Sequence, residues 1–267
     1  MITYHPATQV AHRRLAVVTG AAGGIGSALA AKLAADGVDV AACDREATAV
    51  RDLAERLSSY GLAGQVTGFR LDVSDTADVE SVVASIERDL GPVELLANVA
   101  GVLTPAPAIE ICDADWHTTF AVNSTGVMNV SRAVGRRMAD RGSGSIVTVG
   151  SNAAAVPRVG MAAYCASKAA ARIFTQVLGL ELARNGVRAN VVSPGSTDSS
   201  MLRDLLAGSP PDAVIDGDLA TYKTGVPLGR IATPKTIADA VAFLFSDAAR
   251  HITLHDLRVD GGATLDA

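Results

Sequence analysis

Short apolar runs alternate along the chain with longer segments in which apolar residues return every three or four positions. LAVVT (15–19), VDVAAC (38–43), QVTGFRL (65–71), VELLA (93–97), SIVTV (145–149), VRANVV (187–192) and LRV (257–259) predict strands. Several are apolar on consecutive residues, the pattern of a strand covered on both faces. After the first of them, Ile25, Leu29 and Leu33 repeat at i, i+4 and i+8, and Gly37 follows to end a helix. The same periodicity predicts helices near 25–35, 46–59, 76–89, 114–139, 162–184 and 235–246. Strands that alternate with helices build right-handed βαβ units. The expectation is therefore a single-domain α/β fold, a doubly wound seven-stranded parallel sheet with helices on both faces.

No internal repeat or low-complexity linker marks a second domain. Residues 1–14 read as a polar leader ahead of one domain over 15–267. Within it, 196–230 stands apart, carrying Pro210, Pro211 and four glycines between helical fragments. A loop that long inside a compact domain is usually a binding element, and a substrate lid is expected there.

Composition narrows the classes. A chain of 267 residues, 49% apolar and 19% charged, can bury roughly three quarters of its unfolded surface, which excludes disorder. A net charge of −5 and an aromatic content of 4% give no support to a nucleic-acid partner. No apolar run reaches the ~18 residues needed to cross a bilayer, and no membrane partner is expected. The N-terminus lacks the charged-then-apolar order of a signal peptide. Cys43, Cys112 and Cys165 form no C-x-x-C pair, so neither disulfides nor a metal site are expected, and a cytoplasmic location is. His251 and His255 fall in a stretch that favours a strand, where residues four apart lie roughly 13 Å from each other, too far to share zinc. Trp116 reads as a packing residue.

The first strand runs directly into Gly20-Ala21-Ala22-Gly23-Gly24-Ile25-Gly26 and then a helix. Glycines let backbone approach a pyrophosphate closely, and the free N–H groups of a helix N-terminus face that anion. This context makes the fold a Rossmann type and Gly20, Gly24, Ile25 and Gly26 candidate cofactor contacts. Asp44 closes the second strand, where a carboxylate accepts hydrogen bonds from an adenosine ribose and repels a 2′-phosphate. NAD is therefore expected rather than NADP, although Arg45 is adjacent. Asp72 and Val73 follow the third strand, and Asn98, Ala100 and Gly101 the fourth. Strand ends in a doubly wound sheet line the cofactor crevice, where Asp72 would reach the adenine edge and Asn98 would pin neighbouring strands.

Tyr164 and Lys168 are four apart in an alanine-rich helical segment and so share a face. A phenol with a pKa near 10 is a poor base at neutral pH, and bringing it to about 7 takes about 4 kcal/mol. A lysine charge ~4 Å away at an effective dielectric of ~20 supplies about that much. The pair thus predicts a tyrosine base, with Ser151, just past a strand end, to steady the developing charge.

With these motifs in place, the chain resembles the short-chain dehydrogenase/reductase family from Leu15 to its C-terminus. The matching strings are TGAAGGIG, NVAG, Ser151, YCASK and Pro194-Gly195. The resemblance implies catalytic Ser151, Tyr164 and Lys168, and assigns Asn123 to a helix kink and a proton-relay water, although Asn123 falls well inside a predicted helix. It also implies cofactor contacts from Tyr164, Lys168, Pro194, Gly195 and Thr197, and a homotetramer. Val99 stands where alanine or asparagine is more usual.

Longer strings, including GSNAAAVPRVGMAAYCASKAA and VVSPGSTDSSM, are similar to family members acting on 2,3-dihydro-2,3-dihydroxybenzoate or on its amino analogue, 2,3-dihydro-3-hydroxyanthranilate. That resemblance implies NAD-dependent oxidation of the C3 hydroxyl with aromatisation, in siderophore or secondary metabolism. The substrate would be a small anionic cyclohexadiene carboxylate, which calls for a nearby cation. Arg158 is the first candidate because a guanidinium fork matches a carboxylate. Lys223 and Arg203, in the predicted lid, come next, and Met201 would add an apolar contact. Two other readings stay open: a ketoacyl-carrier-protein-type reductase, which predicts NADPH and a basic docking patch, and a non-catalytic nucleotide-binding scaffold.

Overall fold

The computed structural model describes residues 13–208, 210 and 214–265. Residues 1–12 of the expected leader, and 209 and 211–213 of the expected lid, lie outside them. Seven strands form one parallel sheet: β1 (Leu15–Thr19), β2 (Asp39–Asp44), β3 (Val66–Arg70), β4 (Val93–Asn98), β5 (Gly144–Val149), β6 (Val187–Pro194) and β7 (Asp256–Val259). Their spatial order is β3-β2-β1-β4-β5-β6-β7. The chain winds outward from β1 to β3 and then returns to the other side of β1. A crevice opens at that reversal, beyond the carboxyl ends of β1 and β4.

Consecutive apolar residues in the strands serve two cores. Ala16 and Val18 face a layer built from α1 (Gly24–Ala35), α2 (Ala47–Ser58) and α8 (Pro234–Phe245), through Leu29, Leu53 and Val241. Leu15 and Val17 face the opposite layer, from α3 (Thr76–Leu90), α5 (Val127–Arg141) and α6 (Ala162–Leu182), through Val83, Val134 and Leu182. Helix ends follow local chemistry. Asp75 caps α3 by accepting from Ala77 and Asp78 N–H, and Thr233 with Thr236 forms a capping box before Pro234 at the start of α8.

The helix expected over 114–139 is not continuous. It divides into α4 (Asp113–Phe120), a π-helical stretch at Ala121–Gly126, and α5. The widened turn holds Asn123, fully buried, away from the regular helical ladder. Two smaller expectations also change. His251 lies in a turn and His255 in the loop before β7, so no strand separates them. Trp116 is 39% exposed and stacks on Phe120, centroids 4.6 Å apart, rather than packing into the core.

The segment 196–230 contains α7 (Ser200–Leu205), a 3-10 turn at Leu219–Thr221, and a pinch between Asp218 and Lys223. Among the described residues no helix is long and apolar enough to cross a membrane, and no three His, Cys, Asp or Glu side chains gather as metal ligands.

Candidate active site

At the β1 end of the crevice two glycines are required by space. Gly20 has φ +64°, and a Cβ on it would lie 2.7 Å from the Ala100 Cα. A Cβ on Gly26 would lie 2.2 Å from the Gly20 carbonyl oxygen. The turn thus closes on itself and on the strand β4 exit, leaving bare backbone beside α1, whose N-cap Gly23 brings no capping side chain. Thr19 fastens the two strand ends: its Oγ1 accepts from Val99 N–H at 3.0 Å and Ala100 N–H at 3.3 Å. Sequence reasoning gave Thr19 no task of its own.

Asp44 Oδ2 accepts from Ala22 N–H at 3.0 Å, so the carboxylate braces the glycine turn from the β2 end. Arg45 turns outward to Glu46, 3.2 Å away. Asp72 accepts from the N–H and the hydroxyl of Ser74, at 2.9 and 2.6 Å, which hold its carboxyl below the usual range. Val73 is buried, and its carbonyl accepts from Asn129 Nδ2 at 3.0 Å.

Asn98, expected as a cofactor contact, is buried with its side chain turned into the core. Its Nδ2 donates to Ser131 Oγ at 2.8 Å and Thr148 Oγ1 at 3.4 Å. It pins β4 to β5 and α5, and the crevice wall is left to Val99 and Gly101. Ile25, Pro194, Gly195 and Thr197 line the same cavity.

Ser151 follows β5, and Tyr164 and Lys168 occupy the early turns of α6, which turns both inward. Ser151 and Tyr164 line the same cavity, and the Ser151 side chain acts on the Tyr164 hydroxyl. Ser151 Oγ also accepts from Ala153 N–H at 3.1 Å. Lys168 Nζ donates to the Val149 carbonyl at 2.9 Å and stands 5.8 Å from the centre of the Tyr164 ring.

The expected electrostatics are corrected here. Burial pushes the Tyr164 phenol above its usual pKa, and the Ser151 side chain offsets only part of that rise. Burial also pulls the Lys168 ammonium down to about 8. In the protein alone, loss of solvent is the dominant influence on both groups.

Asn123 Oδ1 accepts from Val102 N–H at 2.8 Å, while Nδ2 donates to Val102 O at 2.9 Å and Ser167 Oγ at 3.0 Å. The amide thus ties the π turn to the β4 exit and to α6. A Cβ at Gly101 would sit 3.3 Å from Lys168 Nζ and 3.4 Å from Asn123 Oδ1, so these groups meet in one place.

Beyond Tyr164 the cavity opens to about 500 Å³. Arg158, Met201 and Lys223 line it, as do Leu202, Leu205 and Val214. Arg203 does not: it pairs with Asp198 on the exposed side of α7. Asn152 was not anticipated. Its Nδ2 donates to Asp260 Oδ2 at 3.3 Å, and a Cβ on Gly195 would lie 2.6 Å from the Asp260 Cβ, so Asp260 locks the Ser151 turn to the Gly195 loop. No periodicity or motif announces that contact.

Known proteins agree with this geometry. The profile of the family described as short chain dehydrogenase matches residues 14–209. The 2,3-dihydro-2,3-dihydroxybenzoate dehydrogenase of Bacillus subtilis (strain 168) is 51% identical over 94% of this chain and 96% of that protein. The dehydrogenase of the same description from Escherichia coli (strain K12) is 41% identical over 94% and 96%. A solved 7 alpha-hydroxysteroid dehydrogenase complexed with NADH is 27% identical and superposes with a TM-score of 0.85, covering 95% of both chains. A glycine-cradled crevice at the strand reversal, a buried serine–tyrosine–lysine group beside it and these likenesses lead to one conclusion: the chain belongs to the short-chain dehydrogenase family, oxidoreductases that work with a nicotinamide dinucleotide.

Proposed function

We propose that this enzyme oxidises the C3 hydroxyl of 2,3-dihydro-2,3-dihydroxybenzoate with NAD, giving 2,3-dihydroxybenzoate. The observation that carries the reaction type is the gathering of buried Ser151, Tyr164 and Lys168 on one wall of a cavity that Arg158 and Lys223 also line. The likeness to dehydrogenases named for this acid, over nearly the whole chain, supports the substrate.

The glycine turn suits a dinucleotide because Gly20 and Gly26, free of a Cβ, let the backbone fold tightly on itself and on the β4 exit, which leaves bare backbone at the N-terminus of α1. Gly20, Gly24, Ile25 and Gly26 would hold that pyrophosphate, Asp44 the adenosine ribose, and Asp72 and Val73 the adenine edge. Ala100, Gly101, Pro194, Gly195 and Thr197 would border the nicotinamide end. The Asp44 carboxylate, with Arg45 directed to Glu46, favours a ribose hydroxyl over a 2′-phosphate and hence NAD. A nicotinamide held there would supply the acceptor for the C3 hydride.

Tyr164 takes the proton of the C3 hydroxyl as the C3–H bond breaks. Burial raises its pKa in the protein alone, so the transfer needs positive charge nearby, which the Lys168 ammonium and a cationic nicotinamide would supply. Ser151 donates to the oxygen that becomes the C3 carbonyl. Arg158 pairs with the carboxylate, and Met201 covers the ring. The C2 proton of the resulting ketone then moves to the C3 oxygen, and the ring becomes aromatic, which draws the equilibrium toward product. Asn123 acts as a positioning residue that fixes the π turn against Val102.

The segment 196–230 serves as the substrate lid. The assembly is a homotetramer, in keeping with the apolar stripe of Ile173, Val177 and Leu180 left exposed on α6, and the setting is cytoplasmic biosynthesis.

The test is to follow NADH formation from NAD with 2,3-dihydro-2,3-dihydroxybenzoate and, in parallel, with trans-2,3-dihydro-3-hydroxyanthranilate. The reading expects the higher kcat/KM for the dihydroxy acid. A higher value for the amino acid reassigns the substrate, and no turnover of either removes both.

A further inference from the structure

Among the described residues, four charged ones line the cavity: Arg158, Lys168, Asp218 and Lys223. Lys168 is engaged with Val149 O. Asp218, the one acid among them, spends its oxygens on Ala220 N–H at 3.0 Å and Thr221 Oγ1 at 2.8 Å. That leaves Arg158 and Lys223. Among the described residues neither lies within ion-pair distance of a carboxylate.

Both cations are held by fixed backbone. The N–H of Lys223 donates to Asp218 O at 2.9 Å and its carbonyl accepts from Asp218 N–H at 2.8 Å. The next residue, Thr224, donates from Oγ1 to Ala263 O at 2.8 Å, and Val226 N–H donates to Ile215 O at 2.7 Å. Arg158 sits before α6, where Met161 N–H donates to Arg158 O at 3.2 Å and Ala106 N–H to Gly160 O at 2.9 Å. The two side chains therefore reach the same cavity from segments far apart in sequence. Burial lowers the Lys223 pKa first, and the Arg158 charge adds to the effect, with Asp218 opposing it. Like charges held in one cavity are unfavourable until an anion lies between them.

We propose that Lys223 is a substrate-binding residue, and that it grips the substrate carboxylate jointly with Arg158. This rests on the acid substrate proposed above. The division of labour follows from the two side chains: the guanidinium supplies a planar fork that sets the carboxylate plane, and the ammonium supplies a point charge from a separate segment. An acid then gains from both cations, whereas a neutral ring of the same size gains from neither.

The test compares wild type, Lys223→Gln and Lys223→Arg, each saturated with NADH, by calorimetric binding of salicylate and of phenol. Loss of a hydrogen bond to a charged group predicts that Lys223→Gln weakens salicylate by about 10- to 100-fold while phenol is unaffected. Lys223→Arg restores most of the salicylate affinity. In turnover, the KM for the dihydro acid rises by a similar factor and kcat moves much less. Unchanged salicylate affinity and unchanged KM in Lys223→Gln overturn the proposal and leave the proposed reaction standing. If wild type does not oxidise the acid yet salicylate still weakens in Lys223→Gln, the reaction is wrong and the carboxylate grip holds.

Discussion

The ammonium of Lys168 is anchored to the carbonyl of Val149, 2.9 Å away, so a buried charge stands directly behind the strand that delivers Ser151. Burial lowers this group to about 8, whereas in the unfolded chain a lysine keeps its proton up to about 10.4. Between those values the unfolded chain binds the extra proton, so protonation opposes folding. The penalty is complete below the folded pKa and disappears above the unfolded one. Stability of wild type relative to Lys168→Met should therefore rise as pH increases from about 8 to about 10.4. Urea midpoints of both proteins across that window measure it, and a constant difference contradicts the shift.

Tyr164→Phe removes the hydroxyl that Ser151 acts on and leaves the ring in place. Loss of a general base predicts a fall in kcat of about 10²- to 10⁴-fold. NADH affinity, read by fluorescence titration, should change little because the glycine turn is untouched. A variant that keeps wild-type kcat would falsify the role given to this tyrosine.

Gly26→Ala places a methyl group 2.2 Å from the Gly20 oxygen, a backbone atom that cannot swing aside. Overpacking of this kind costs about 1–3 kcal/mol, which predicts a lower Tm and, because the turn must open, a larger loss of dinucleotide binding. Gly142→Ala is the control. Its φ is positive, at +74°, but nothing lies within 4 Å of its Cβ, so it should lose stability without losing cofactor.

Asn123→Ala leaves the half-buried Val102 N–H without its partner and frees the π turn. An unsatisfied buried donor costs about 1–3 kcal/mol. The positioning role predicts a further drop in kcat with KM and NADH affinity little changed. Equal losses in all three would instead describe a structural residue.

Asp44→Ser should narrow the preference for NAD over NADP, since it removes the charge that opposes a 2′-phosphate. The hydroxyl can still accept from Ala22 N–H, now reached from Asp44 Oδ2 at 3.0 Å, so the turn should persist. The ratio of kcat/KM with the two cofactors reads the change.

Much of the fold was legible because its signals are local. Val17 and Val18 are both buried, on opposite faces, and only a strand covered twice makes consecutive apolar residues useful. The glycine turn and the Tyr164–Lys168 spacing are legible for the same reason, since each is a relation within a few residues. Where the pattern misled, the deciding contact came from afar. The run 114–139 has helical periodicity throughout, yet Asn123 answers to Val102 and Ser167, 21 and 44 residues away, and the helix widens to meet them. Asn98 pins neighbouring elements as expected, but its partners Ser131 and Thr148 lie 33 and 50 residues away, and they keep its amide out of the crevice it was also expected to line.

The sequence by itself determined which elements form, their alternation, and the chemical identity of the group that can move a proton. Tertiary structure alone decided where charges and long side chains go: Arg203 to Asp198, Lys168 to a carbonyl, and Lys223 into the cavity that Arg158 also lines. The reason is physical. Backbone preference and burial pattern act over one or two turns, whereas the desolvation and pairing of a charge depend on whichever distant segments fold against it.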